Sequence, residues 1–81
     1  MSRKYDILRW FGERVRVERL NRKLSPDELA ARAGLHRTYV GMIERAEKNI
    51  TPKNIAKICD ALDISIGKFF NDKSHQADSS E

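Results

Sequence analysis

At 81 residues, with 40% hydrophobic residues, the chain is long enough for one small globular domain with a modest core. It contains no apolar run of transmembrane length and no signal-peptide pattern, and its one cysteine, Cys59, excludes an internal disulfide framework, so we expect a cytoplasmic protein. The formal net charge is +4, and the first 23 residues carry eight Lys or Arg against three Asp or Glu, which favours a polyanion such as nucleic acid as the partner.

The chain opens with a short basic segment, residues 1–5, which we expect to form a flexible arm. A long first helix is predicted from Asp6 to Arg22, because apolar side chains recur there at helical spacing, at Ile7, Leu8, Phe11 and Val15. Trp10 lies within this helix, and two interpretations of it stay open. It packs in the core, which is the commoner fate of a large aromatic side chain, or it covers a partner surface.

Two short helices joined by a tight turn are predicted next. Ser25 can form a capping box with Glu28, and Pro26 occupies the first helical position, where a missing N–H costs nothing. Gly34 follows where this helix must end, in the left-handed conformation that glycine reaches cheaply, and a second apolar pattern then begins at Val40. A sharp turn with glycine between two helices is typical of the helix-turn-helix, whose second helix can enter a DNA major groove.

The segment with the pattern L-S-x-D-E-L-A-x-x-A-G-L-x-R-T-Y-V-x-x-I-E-R closely resembles the lambda-repressor-like, Cro-type helix-turn-helix proteins. The run H-R-T-Y-V-G-M-I-E-R and the following N-I-T are most similar to the controller proteins of restriction–modification systems. The resemblance runs from about Phe11 to Phe70. It implies an all-α, five-helix DNA-binding domain with the helix-turn-helix at helices 2 and 3. It also implies a homodimeric, autoregulating transcription regulator on a palindromic operator.

The rest of the chain predicts two further helices. Thr51 and Pro52 open the fourth by a cap followed by proline, and its core stripe consists of Ile55, Ile58, Cys59 and Leu62. Ser65 can cap a short fifth helix that ends at Phe70. The domain is expected to span residues 6–71, and residues 72–81 are polar, lack periodicity and are predicted to be a disordered tail.

The start of the third helix should carry the base-reading residues. With His36 at the N-cap, helical geometry exposes Arg37 and Thr38 and, one turn later, Gly41 and Met42. The two donors of Arg37 match guanine O6 and N7, and Thr38 offers a hydroxyl and a methyl group. The alternative for Arg37 and Thr38 is a solvated helix start that contacts no ligand.

Phosphate contacts are expected from polar and basic residues around the third helix and the start of the fourth: His36, Tyr39, Arg45, Lys48, Asn49, Thr51 and Lys53. They would set register and affinity and give binding a steep salt dependence. Three residues depart from the family pattern. Pro26 replaces a glutamine that contacts phosphate in many relatives, and Ala46 stands where the family usually has glycine. His36 is the third, because histidine is a poorer N-cap than Ser, Thr or Asp.

Three further roles are assigned. The resemblance implies that Arg19 pairs with Glu44 late in the recognition helix, so that the carboxylate does not repel phosphate. It also implies that Asp27 touches the polymerase sigma subunit, with ordinary helix-dipole charge as the alternative. The candidate dimer interface is formed by apolar residues that a short helix cannot bury alone: Ile64, Ile66, Phe69 and Phe70.

Other function classes are less well supported by the sequence. No enzyme motif, phosphate-binding glycine loop or metal-ligand set is visible, so no catalytic activity, cofactor or metal is expected. Within regulators, the alternative is a phage-type repressor or an antitoxin that represses its own promoter. Outside them, it is a protein-interaction module that kept the fold and lost DNA binding.

Overall fold

The computed structural model describes the backbone of residues 3–71 and the side chains of residues 7–71. Within that range the chain is all-helical, with five helices and no strand, which confirms the predicted fold. The helices are α1 (Arg3–Asn21), α2 (Pro26–Ala33), α3 (Arg37–Glu44), α4 (Pro52–Ala61) and α5 (Ile66–Phe70). Because α1 begins at Arg3, residues 3–5 belong to the helix and not to the expected arm. The expected tail, residues 72–81, lies outside the described residues.

The helix-turn-helix has the predicted local chemistry. The hydroxyl of Ser25 accepts from the backbone N–H of Glu28 at 3.0 Å, and the Glu28 carboxylate accepts from the Ser25 N–H at 2.8 Å. Gly34 ends α2 with a φ of 71°, in the left-handed region. The backbone N–H of Leu35 then donates to the carbonyl of Ala30 at 2.9 Å, which closes the turn and sets the direction in which α3 departs.

The turn after α3 repeats this geometry without a glycine. The backbone N–H of Ala46 donates to Ile43 O, and that of Glu47 donates to Met42 O. Ala46 therefore takes the left-handed position, with a φ of 59°. An alanine in this region is strained because its Cβ crowds the following carbonyl. Ala46 thus adopts, at an energetic cost, the left-handed conformation that Gly34 adopts at the end of α2.

The core forms where the helices converge, with α3 packed on α1 and α2, and α4 packed on α2 and α5. Its fully buried side chains include Val15, Leu29, Val40, Ile58, Leu62 and Phe69. Cys59 is buried in the same core, and this burial raises the pKa of its thiol above the ordinary value. The thiol therefore stays protonated and acts as a small apolar side chain.

One predicted interface residue is wrong. The side chain of Phe69 is fully buried in its own chain, so it has no surface to offer a partner. Its ring packs at centroid distances of 5.3 Å from Phe11 and 6.2 Å from half-buried Trp10. The guanidinium of Arg14 lies 5.1 Å from the centre of the same ring. The aromatic rings of α1 thus bury Phe69 in the core, and Trp10 packs against that core.

The backbones of α1 and α3 meet at Gly12. A Cβ at this position would come 2.4 Å from the carbonyl oxygen of Ile43 and 2.9 Å from that of Glu44. Real Cβ atoms essentially never approach that closely. The absence of a side chain at Gly12 therefore lets α1 lie directly against the carboxyl end of α3, which fixes the position of the recognition helix.

Candidate nucleic-acid interface

An ion pair anchors the end of α3 to α1. The Nε of Arg19 donates to Glu44 Oε2 at 2.7 Å, and its Nη2 donates to Glu44 Oε1 at 3.1 Å. The third donor, Nη1, reaches the carbonyl of Leu24 at 2.8 Å. Both charged side chains are nearly buried, with 10% and 9% of their surface exposed. The hydrogen bonds that Arg19 donates to Glu44 raise the pKa of Arg19, so the guanidinium stays charged and neutralises the carboxylate.

The residues predicted to read bases lie on one side of α3. Arg37 and Thr38 are exposed at its first turn, whereas Gly41 and Met42, one turn later, are half-buried. The opposite side of the helix is buried in the core through Val40 and Ile43. The backbone N–H of Thr38 donates to the Nδ1 of His36 at 3.1 Å, so the histidine caps α3 despite being a weak capping residue type.

Arg37 has an acidic neighbour on α2. Its Nη1 lies 3.5 Å from Asp27 Oδ2, and the two side chains are 68% and 63% exposed. A pair this open to solvent is weak. Arg37 can therefore leave Asp27 for a stronger acceptor at little cost. Asp27, the residue expected to contact a polymerase, thus lies beside the first reading residue.

The basic and polar residues predicted to contact phosphate surround α3 and precede or open α4. Arg45, Lys48, Asn49, Thr51 and Lys53 are all exposed. The side chain of Thr51 caps α4 by accepting from the backbone N–H of Asn54 at 3.2 Å. The other backbone N–H groups at this helix start add a partial positive charge. This set forms a basic rim at one end of the recognition helix.

Besides the capping residues His36 and Thr51, two members of the predicted set have side-chain partners in their own chain. The hydroxyl of half-buried Tyr39 accepts from Asn54 Nδ2 at 3.0 Å, which ties α3 to α4. The Nε of Arg45 donates to Glu47 Oε2 at 3.0 Å, and this hydrogen bond raises the pKa of Arg45. The tyrosine is positioned before any ligand arrives.

Sequence reasoning missed Gly12, Asn54 and Glu47. Gly12 had a signal, since it is the one glycine within an otherwise uninterrupted helical pattern. Asn54 and Glu47 had none, because their roles depend on which side chains tertiary packing places opposite them.

The remaining candidate interface residues lie on or beside α5. Ile66 and Phe70 are 46% and 42% exposed, and Ile64 is half-buried. The ring of Phe70 lies 5.4 Å from that of Trp10, so the exposed patch continues from α5 onto α1.

Over residues 7–71 no three His, Cys, Asp or Glu side chains gather as a metal site would require. No helix among the described residues is long and apolar enough to cross a membrane.

Comparison with known proteins agrees with this geometry. The helix-turn-helix family matches residues 15–69. The control protein C.SmaI of Serratia marcescens is 41% identical over 63 residues, which is 78% of this chain and 75% of that protein. The crystal structure of the restriction-modification controller protein C.AhdI from Aeromonas hydrophila superimposes with a TM-score of 0.77 at 42% identity, covering 80% of this chain and 98% of that chain.

A further solved structure shows the controller protein C.Esp1396I bound to a 25 base pair operator site. It has a TM-score of 0.75 and 31% identity, and covers 79% of this chain and 84% of that chain. The helix-turn-helix match extends over more than half of the chain, and the controller proteins align over most of their own lengths. This chain therefore belongs to the helix-turn-helix family and, within it, to the controller proteins of restriction–modification systems.

Proposed function

We propose that this chain is a sequence-specific, double-stranded DNA-binding regulator of transcription that acts as a homodimer on a palindromic operator. The observation that carries the proposal is the exposure of Arg37 and Thr38 at the amino end of α3 while Val40 and Ile43 hold the opposite side in the core. This is the arrangement in which a recognition helix enters a major groove. C.Esp1396I, a relative with the same fold, is bound to a 25 base pair operator site, which supports operator DNA as the partner.

In this proposal Arg37 reads a guanine. Its guanidinium can donate to O6 and N7 together, a contact worth about 1–3 kcal/mol of discrimination against other bases. It must first leave Asp27, which is inexpensive because the 3.5 Å pair is open to solvent. Thr38 then offers a hydroxyl to a base edge or a phosphate and a methyl group to a thymine.

The basic rim would supply affinity and register. Arg45, Lys48 and Lys53 carry the positive charge, and the amino end of α4 adds backbone donors. Asn54 donates a hydrogen bond to the hydroxyl of Tyr39, and in this proposal the same hydroxyl also contacts a phosphate. Neutralising phosphates releases counterions, so the association constant should fall steeply as salt rises.

Dimerisation would use α5. One helix-turn-helix spans too few base pairs for genomic specificity, whereas two related by a twofold axis read half-sites about one helical turn apart. Ile66 and Phe70 place apolar surface in water on a helix of five residues. Pairing with a second copy would cover this surface together with half-buried Ile64.

The regulatory part of the proposal is that of an autoregulating restriction–modification controller in the cytoplasm. A dimer at one site would activate transcription, and filling a second site would repress it. The exposed carboxylate of Asp27 in the first turn of α2 supports a contact with the sigma subunit of RNA polymerase. The alternative is that Asp27 only complements the α2 dipole. In that case, replacing Asp27 with Asn would leave activation of transcription unchanged.

A salt titration of binding to a labelled duplex of mixed sequence tests the DNA-binding claim. We expect binding at low salt, with the logarithm of the association constant falling linearly as the logarithm of the salt concentration rises. Lys53→Ala should reduce that slope by about 1, because it removes one phosphate contact. An affinity at low salt no greater than that of an unrelated basic protein would contradict the proposal and favour the protein-interaction module.

A further inference from the structure

The guanidinium of Arg45 lies over Gly41, in the space that a side chain there would occupy. A Cβ on Gly41 would come 3.1 Å from Arg45 Nη1 and 3.7 Å from Nη2. Arg45 follows α3 immediately, one turn beyond Gly41, and helical side chains lean back toward the amino end. The glycine thus leaves room for the arginine on the exposed side of the recognition helix.

This placement brings a second guanidinium toward the reading residues. Arg37, Gly41 and Arg45 follow one another at intervals of four, which places them on one face. Over Gly41, the Arg45 head group lies about one helical turn, ~5.4 Å, nearer the amino end of α3 than its own Cα. That end is the part of a recognition helix that contacts bases. The Arg45 side chain remains 60% exposed, so a ligand can reach it.

Glu47 leaves the two terminal nitrogens of Arg45 available to a ligand. Its carboxylate accepts from Arg45 Nε at 3.0 Å, so the two terminal nitrogens are not used in that hydrogen bond. Two donors on one planar guanidinium are what guanine O6 and N7 require. Arg37 also has an acidic neighbour, Asp27, but that contact involves Nη1, one of its terminal nitrogens.

We propose that Arg45 is a second base-reading arginine, for which Gly41 makes room and which Glu47 positions. The inference rests on the proposed function and refines it, because Arg45 moves from the phosphate rim to the reading face. It also gives Gly41 a role at the site, because its missing side chain leaves room for the Arg45 guanidinium.

Replacing Arg45 with lysine separates the two roles. A phosphate contact tolerates lysine, whereas lysine lacks the planar fork with which arginine donates to guanine O6 and N7 together, so it reads the base less specifically. Selection of bound sites from random duplex DNA is carried out with the full chain and with Arg45→Lys. We expect Arg45→Lys to lose roughly 5- to 150-fold preference at one symmetric base pair, distinct from the pair lost in Arg37→Ala. Lys53→Ala is the control and should weaken all sites uniformly.

A double-mutant cycle tests the role of Gly41. Gly41→Ala should keep the fold, because only the flexible end of Arg45 must shift and alanine favours a helix. We expect it to lose the same base preference as Arg45→Lys, and to have no added effect in an Arg45→Ala background. An equal loss of affinity in that background would show that Gly41 makes room for DNA, which would overturn this part of the inference.

The two proposals fail differently. If the wild-type chain selects no sequence, the proposed function is contradicted. If it selects a palindrome and Arg45→Lys leaves every position of that site unchanged, only the reading role of Arg45 is overturned.

Discussion

Arg19 on α1 donates two hydrogen bonds, of 2.7 Å and 3.1 Å, to Glu44 at the end of α3, and both side chains are almost fully buried. The contact joins the longest helix to the recognition helix at the end opposite the reading residues. It also cancels a negative charge beside the surface proposed to meet phosphate. One pair of side chains thus serves both the stability of the domain and its electrostatics.

Replacing Arg19 with methionine should destabilise the domain by about 3–5 kcal/mol, because Glu44 would be left as a nearly buried, unpaired charge. The free energy of unfolding from urea titration measures this. Arg16→Met, on an exposed position of the same helix, is the control and should change stability by less than about 0.5 kcal/mol. Equal losses in the two variants would contradict the structural importance of the pair.

Gly12→Ala should destabilise the domain although alanine is the better helix former. The gain in helix propensity is about 1 kcal/mol, whereas overpacking costs typically 1–3 kcal/mol. Overpacking should dominate, since the obstructing atoms are backbone carbonyls of α3 that cannot turn aside. Gly67→Ala on α5, where a Cβ would meet nothing within 4 Å, is the matched control and should not destabilise. The urea concentrations at the unfolding midpoints of the two variants measure the difference. A Gly12→Ala variant as stable as Gly67→Ala would contradict the close packing of α1 against the α3 backbone.

Ala46→Gly should stabilise the domain. The left-handed conformation costs an alanine about 1–2 kcal/mol, and glycine removes this strain. Glycine also gives the unfolded chain more conformational freedom, which lowers the stability by about 0.4–1 kcal/mol. A net gain of about 0.5–1 kcal/mol is expected in the free energy of unfolding. The same change at Ala56, exposed within α4, should instead lose about 1 kcal/mol. A loss at both positions would contradict the strain assigned to Ala46.

Ile66→Lys should shift the chain from dimer to monomer, because it places a charge in the apolar patch proposed as the interface. Sedimentation equilibrium at a series of concentrations measures the shift. Leu20→Lys on α1 is the control, since Leu20 is 48% exposed and therefore matched in exposure but distant from α5 in sequence. A dimer that survives Ile66→Lys and dissociates with Leu20→Lys would move the interface to α1.

Local sequence signals predicted most of the fold because they act within a few residues. The capping box of Ser25 and Glu28 and the left-handed Gly34 depend on short-range hydrogen bonds, and both are present as expected. The start of α1 was less predictable, since Arg3 lies beyond the first apolar repeat and helix ends lack a periodic signal.

Side-chain partners across helices were predictable only where the resemblance supplied them. It paired Arg19 with Glu44, but nothing local shows that Tyr39 meets Asn54. Phe69 was misplaced because an apolar residue on a short helix fits an interface and a core equally well. Its burial was decided by aromatic rings from α1, 58 and 59 positions earlier in the chain.

The measurement that tests the central claim most directly is selection of bound sites from random duplex DNA by the wild-type chain and by Arg37→Ala. We expect the wild type to select a palindrome with half-sites about one helical turn apart, and Arg37→Ala to lose its preference at one symmetric guanine pair while still binding. A selected site that is identical for both proteins would contradict the role of Arg37, and with it the claim that the exposed start of α3 reads the operator.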